Sequence, residues 1–61
     1  MDAVTAVRLA DLAMDRDVEI WSNGADHVVV VVGGSRTFTY RGPSLRVVVA
    51  RAWAGEPDDA N

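Results

Sequence analysis

The sequence predicts an α+β fold: a three-stranded antiparallel meander with an N-terminal and a C-terminal helix packed on one face, in the order α-β-β-β-α. Three observations predict it. The first residues carry apolar side chains at helical spacing. Two glycine-containing turn signals, Asn23-Gly24 and Gly33-Gly34, divide three β-rich segments. After the break at Gly42-Pro43, a second amphipathic segment runs to Trp53.

The first helix is expected from Asp2 to about Arg16. Asp2 suits the N-cap, and its charge favours the positive end of the helix dipole. At 100° per residue, Leu9, Leu12, Ala13, Ala6, Ala10, Met14 and Val7 form a broad apolar arc. Arg8, Asp11 and Asp15 cluster opposite it, and Val4 falls on the polar side.

Val18 to Ser22 alternates, with Val18 and Ile20 on one face and Glu19 and Trp21 on the other. Asn23-Gly24 is a strong hairpin signal, because both central residues of a type I′ turn need positive φ. The run from Val28 to Val32 does not alternate and so cannot choose its own buried face. Its neighbours choose for it. A turn at Asn23-Gly24 pairs Val18 with Val29 and Ile20 with His27. A turn at Gly33-Gly34 pairs Val32 with Ser35, Val29 with Phe38 and His27 with Tyr40. Together they place Val18, Ile20, His27, Val29, Val31, Phe38 and Tyr40 on one face. Glu19, Trp21, Val28, Val30, Val32, Thr37 and Thr39 take the other. A shift of two residues in the first loop leaves this division unchanged.

Pro43 suits the start of a helix, with Gly42 or Ser44 as its cap. Leu45, Val48, Val49, Ala52 and Trp53 share one helical face, while Arg46, Val47, Ala50, Arg51 and Ala54 look away. Three consecutive valines are poor helix formers, so a fourth strand is the alternative. Helix is preferred because a period of two gives no cleaner partition. Gly55 suits the C′ position. Residues 1–55 are thus read as one domain, and 56–61 as a flexible acidic tail. Phe38, Ile20, Val29, Leu45 and Val49 are the expected core.

At 61 residues the chain is near the lower size limit for a single hydrophobic core, and it has no cysteine for a disulfide or a thiolate zinc site. The net charge of −3 opposes loose binding to phosphate backbones. All six basic residues are arginine, which matches the coding bias of a GC-rich bacterium or its phage. No apolar run approaches the roughly 20 residues of a membrane span. The N-terminal Met1-Asp2-Ala3-Val4 lacks a basic signal region. These features predict a protein of the bacterial cytoplasm.

No catalytic, cofactor-binding or metal-binding residue is assigned. His27 is the only histidine and is read as a structural residue at the core rim, within reach of Tyr40. Arg36 to Arg41 interleaves basic and aromatic residues as nucleic-acid-stacking strands do, but Phe38 and Tyr40 fall on the core face. The candidate partner-binding residues are Trp21, Val28, Val30, Val32, Thr37 and Thr39, an apolar plate on the uncovered sheet face. Asp11, Asp15, Asp17, Glu19 and Asp26 are added as an acidic patch suited to a basic groove.

The stretch from Val28 to Trp53, a strand, "GG", a strand, "YRGPSL" and an amphipathic helix, resembles small orphan proteins of phages and mobile elements. Among these it looks like the anti-CRISPR proteins, inhibitors of type I systems in particular. The resemblance implies a small acidic inhibitor that docks on a CRISPR-Cas effector subunit and occludes DNA or another subunit. The alternatives are a homodimeric structural module and a small nucleic-acid binder. A protein partner is expected, with no cofactor, no direct contact to nucleic acid and no membrane, and with the chain itself a monomer or homodimer.

Overall fold

In the computed structural model, which describes residues 1–59, the elements follow in the expected order. They are α1 (Ala3–Ala13), β1 (Asp17–Ser22), β2 (His27–Gly33), β3 (Arg36–Gly42) and α2 (Leu45–Ala54). The strands form one open antiparallel sheet in the order β1-β2-β3. Both helices cover one of its faces. Leu12 from α1 and Val48, Val49 and Ala52 from α2 pack on Val29, Val31 and Tyr40, with Leu9, Val18, Phe38 and Leu45 at the margin. The molecule is one helical layer on one sheet, 17 Å across its shortest axis.

The division of the strands into two faces is as expected, but both hairpins are shifted in register. Val31 rather than Val29 lies opposite Val18. Tyr40 rather than Phe38 lies opposite Val29, and Gly42 rather than Tyr40 lies opposite His27. The cause is local turn chemistry. The first connection is the four-residue loop Asn23–Asp26, in which the Asn23 carboxamide oxygen accepts from the Asp26 N–H at 3.0 Å. The Asn23 N–H donates to the Asp26 carbonyl at 3.1 Å. Only Gly24 has positive φ there, so a type I′ turn is not formed. The second turn is Gly34-Ser35, with positive φ at Gly34 alone, the pattern of a II′ turn. Each shift moves the partner by two residues, so no side chain changes face.

α1 begins as expected. The Asp2 carboxylate accepts from the Thr5 N–H at 2.9 Å, and the Thr5 side chain and amide together hold that carboxyl below its usual range. The helix ends at Ala13 rather than near Arg16, and its buried stripe is narrower than the predicted arc. Thr5 and Leu12 are buried and Leu9 is half-buried, whereas Ala6, Val7, Ala10, Ala13 and Met14 are exposed. Burial of a leucine contributes roughly 1.5–3 kcal/mol and that of an alanine far less. Leu9 and Leu12 therefore set the rotation of the helix, and the alanines go where they fall.

α2 is helical despite Val47-Val48-Val49. Leu45, Val48, Val49 and Ala52 recur at helical spacing, and Val48 and Val49 are almost fully enclosed, so tertiary burial outweighs propensity. Gly42 lets this helix approach β3: a Cβ there would stand 3.2 Å from Val48 Cγ2. At the far end Gly55 takes the left-handed conformation with φ of 73°. Its N–H donates to the Ala52 carbonyl and that of Glu56 to the Arg51 carbonyl, at 3.2 and 3.1 Å. This is the Schellman arrangement, and it reverses the chain.

The reversal corrects the expectation of a frayed tail from Glu56 to Asp59; residues 60 and 61 lie outside the described residues. Glu56 to Asp59 form a strap along the outer edge of β3. The Thr39 N–H donates to the Asp58 carboxylate at 2.9 Å, and the Asp59 N–H donates to the Thr39 carbonyl at 2.7 Å. The Arg41 N–H donates to the Asp59 carboxylate at 2.9 Å. Both terminal nitrogens of Arg51 donate to the same carboxylate, each at 2.9 Å. The buried Tyr40 hydroxyl donates to the Glu56 carbonyl at 2.8 Å. The strap thus satisfies edge groups that a free strand would leave to solvent.

Three members of the expected core are less enclosed than predicted, Leu45 among them, which is half-buried at the margin. Phe38 is half-buried, and its ring is covered by the Arg36 guanidinium at 5.1 Å. Ile20 points to the helix side but is 41% exposed, because β1 is the edge strand and no element among the described residues lies beyond it. Val29, with 0% exposure, is the true centre. Val29→Ala is expected to lower unfolding stability by about 2–4 kcal/mol, read from a denaturant midpoint. Ile20→Ala should cost less than half of that.

The strap sets a pH dependence. The Arg51 guanidinium, with help from the Arg41 N–H, lowers the Asp59 carboxyl from 3.8 to about 2. A carboxyl lowered in the folded state stabilises fully above its unfolded pKa and ceases to do so as pH falls through the folded value. The denaturant midpoint should therefore fall between about pH 4 and pH 2, and Asp59→Asn should remove part of that slope. An Asp59 carboxyl that titrates by NMR near 4 would contradict this arrangement.

Candidate functional site

The sheet face turned away from the helices is a grid of nine side chains set by register. Asp17, Val32 and Thr37 form one row, Glu19, Val30 and Thr39 the second, and Trp21, Val28 and Arg41 the third. The valines of β2 form the central column. Trp21 is 58% exposed, while Val28 is only 8% exposed, because the two largest side chains of the face, Trp21 and Arg41, flank it. Val30, Val32 and Thr39 are half-buried by their neighbours, and Thr37 and Glu19 are exposed. No helix or loop among the described residues covers this surface. Its chemistry is an apolar strip with an aromatic anchor at one corner and carboxylates along the β1 side.

The structure does not gather the five acidic candidates into one patch. Asp17 and Glu19 border the valine column. Asp26 sits in the β1–β2 loop, half-buried. Asp11 belongs to the helical layer, on the opposite side of the molecule, where its carboxylate accepts from the Trp53 indole N–H at 2.8 Å. Asp15 follows α1 and lies 3.8 Å from Arg16 Nε. The cross-strand register also separates His27 from Tyr40. His27 stands opposite Ser22 and Gly42, and the Tyr40 hydroxyl is engaged by Glu56.

Two features were missed by reasoning from sequence. One is the strap on β3. The other is the Arg8–Trp53–Asp11 cluster, in which the Arg8 guanidinium lies 5.0 Å from the Trp53 ring centroid. Ala3, Val4 and Val7 line a shallow groove beside it, and Val47 is exposed on the same layer. A buried or half-buried indole N–H seeks an acceptor, so the pairing of Trp53 with a carboxylate of α1 was in principle readable once both helices shared a face. A cleft at the other end of the helices is lined by Asp15, Arg16, Gly33, Gly34, Phe38 and Tyr40, among others. It offers one guanidinium, one carboxylate and two aromatic rings.

Neither helix is long and apolar enough to cross a membrane. Among the described residues, no three His, Asp or Glu side chains come together in the manner of metal ligands. The chain matches no protein-family model, no curated protein and no solved structure.

The Trp53–Asp11 bond predicts coupling between the helices. Trp53→Phe and Asp11→Ala should each cost about 0.5–1.5 kcal/mol of unfolding stability. The double variant should cost less than the sum of the two, since either one breaks the same bond. Strict additivity in urea denaturation would show that the bond contributes nothing.

Proposed function

We propose that this chain is a small acidic protein-binding inhibitor that acts by occlusion, of the anti-CRISPR kind that its sequence resembles. In this reading it docks stoichiometrically on a CRISPR-Cas effector subunit in a bacterial cell and blocks the approach of DNA or of another subunit. The observation that carries the reading is the helix-free sheet face. Interface hot spots are typically aromatic and become dry on binding, with charges at the rim that steer approach. Trp21 beside the column of Val28, Val30 and Val32 has the first character, and Asp17 and Glu19 have the second. Occlusion requires no catalytic cleft, which suits a two-layer molecule of this size. A protein partner is favoured over nucleic acid because Phe38 and Tyr40 face the helices rather than solvent, where bases would have to stack.

The test is interference with phage restriction in a bacterium that carries a type I CRISPR-Cas system, together with capture of the effector subunit from that cell. Wild type should restore plaques and retain the subunit. Trp21→Ala and Val30→Asp should each weaken capture by at least about 2 kcal/mol, roughly thirtyfold, while the circular dichroism and melting of the monomer stay near wild type. Asp17→Lys combined with Glu19→Lys should slow association, whereas reversal of Asp11, on the helical side, should leave it unchanged. Full capture by the Trp21 and Val30 variants would sink the reading.

A further inference from the structure

The two edges of the sheet are treated differently by the chain. β3 is covered by the strap at Thr39 and Arg41, while β1 has no neighbour on its outer side among the described residues. The strap also reveals which groups the open edge presents. Thr39 and Arg41 direct their N–H groups away from β2, toward Asp58 and Asp59. In an antiparallel ladder the residues alternate in the side to which their peptide groups point. Val30 and Val28, which face Thr39 and Arg41, therefore direct their groups to Glu19 and Trp21 on β1. It follows that Val18, Ile20 and Ser22 direct their N–H and C=O groups outward. No hydrogen bond within the described residues takes these groups up.

Side chains point to the same edge from both faces. On the helix side, Ile20 shares the face of Val18 and Val29, yet it is 41% exposed. A strand placed beside β1 would cover it. On the open face β1 shows Asp17, Glu19 and Trp21. The edge is thus apolar on one side and acidic with an aromatic ring on the other.

We infer that β1 takes up an extended antiparallel strand from a partner protein, in which apolar residues alternate with arginine or lysine. This is recognition by strand addition, in which backbone bonds supply affinity and alternate side chains supply selectivity. The apolar residues lie opposite Val18 and Ile20 and complete the layer beneath the helices. The basic residues lie opposite Asp17, Glu19 and Trp21, where the first two offer ion pairs and the third a cation–π contact. A second copy of this chain fits less well, because its own β1 would bring another Asp17 and Glu19 to the same face and another net charge of −3 with it. The inference rests on the protein-binding reading above and gives it a docking mode, continuous with the valine column through Trp21.

The experiment uses the isotope-labelled full chain, observed by NMR, and capped peptides of about eight residues, somewhat longer than a typical strand. One peptide alternates valine with arginine, and a second replaces each arginine by glutamate. Two more carry N-methyl groups on either all valines or all arginines of the first. The valine–arginine peptide should shift the amides of Val18, Ile20 and Ser22 and slow their exchange, with Thr39 and Arg41 unaffected. The glutamate peptide should bind at least about tenfold more weakly. Methylated valines should abolish binding, because their N–H groups face β1, whereas methylated arginines should leave it within about threefold. Equal binding of the acidic peptide, loss on methylation of the arginines, or no response at Ile20 would overturn the inference. So would concentration-dependent protection of Ile20 in the protein alone, which would make a second copy the occupant. If the peptides fail while Trp21→Ala still abolishes effector capture, the docking mode falls and the protein-binding reading stands. If the peptides bind and no effector is captured, the edge is real and the inhibitor reading falls.

Discussion

The parity of β2 decides where every other part of this molecule goes. Its five valines are chemically equal on both faces, so the strand could have been laid down either way up without loss of its own burial. The choice is made by its neighbours. Val18 on one side and Phe38 and Tyr40 on the other share a face with Val29 and Val31, while Asp17, Glu19, Thr37 and Thr39 share the other. Turning the sheet over would bury two carboxylates and two hydroxyls under the helices, at a cost no valine could offset. With two helices among the described residues, one face is covered and the other is left to solvent. The apolar surface of the open face is a direct result.

Much of this was legible because parity survives errors of two. The hairpin register inferred from Asn23-Gly24 and Gly33-Gly34 was displaced in both turns, yet each residue kept its face. What the sequence could not reveal depended on geometry rather than pattern. Asn23 closes a longer loop with its own carboxamide, a choice that short turn motifs do not encode. The rotation of α1 was misread because alanine was weighted like leucine. Ile20 was counted as core from its face alone, although coverage also depends on whether a strand has a neighbour. For the candidate site, the valine column and Trp21 were readable from alternation. The acidic residues were not separable into sides, because Asp11 belongs to a helix whose packing angle is set by Leu9 and Leu12, and Asp15 lies beyond the early end of that helix.

The C-terminal segment was the largest departure. Glu56-Pro57-Asp58-Asp59 has the composition of a solvated tail, and no periodicity marks it as structured. Its order comes from three partners distant in sequence: the edge amides of β3, the Arg51 side chain and the Tyr40 hydroxyl. Carboxylates accept the amide hydrogens that a paired strand would otherwise accept. The result is a sheet with one sealed border and one open border, a polarity that composition alone does not disclose.

The bond between Asp11 and Trp53 has a kinetic side. Each strand pairs with its neighbour in sequence, and the strap contacts span 8 to 19 residues, whereas Asp11 and Trp53 are 42 residues apart. The entropy lost on closing a loop rises with its length, so the meander, α2 and the strap can assemble through short closures. α1 reaches β1 through a short connection, but its packing on α2 closes through the longest spans. The same order in reverse makes α1 the first element to detach in a sub-global opening. Detachment would uncover Val18, Val31 and Leu12 together and leave the sheet and its sealed border intact, so amide exchange in α1 should be governed by an opening that the strands do not share.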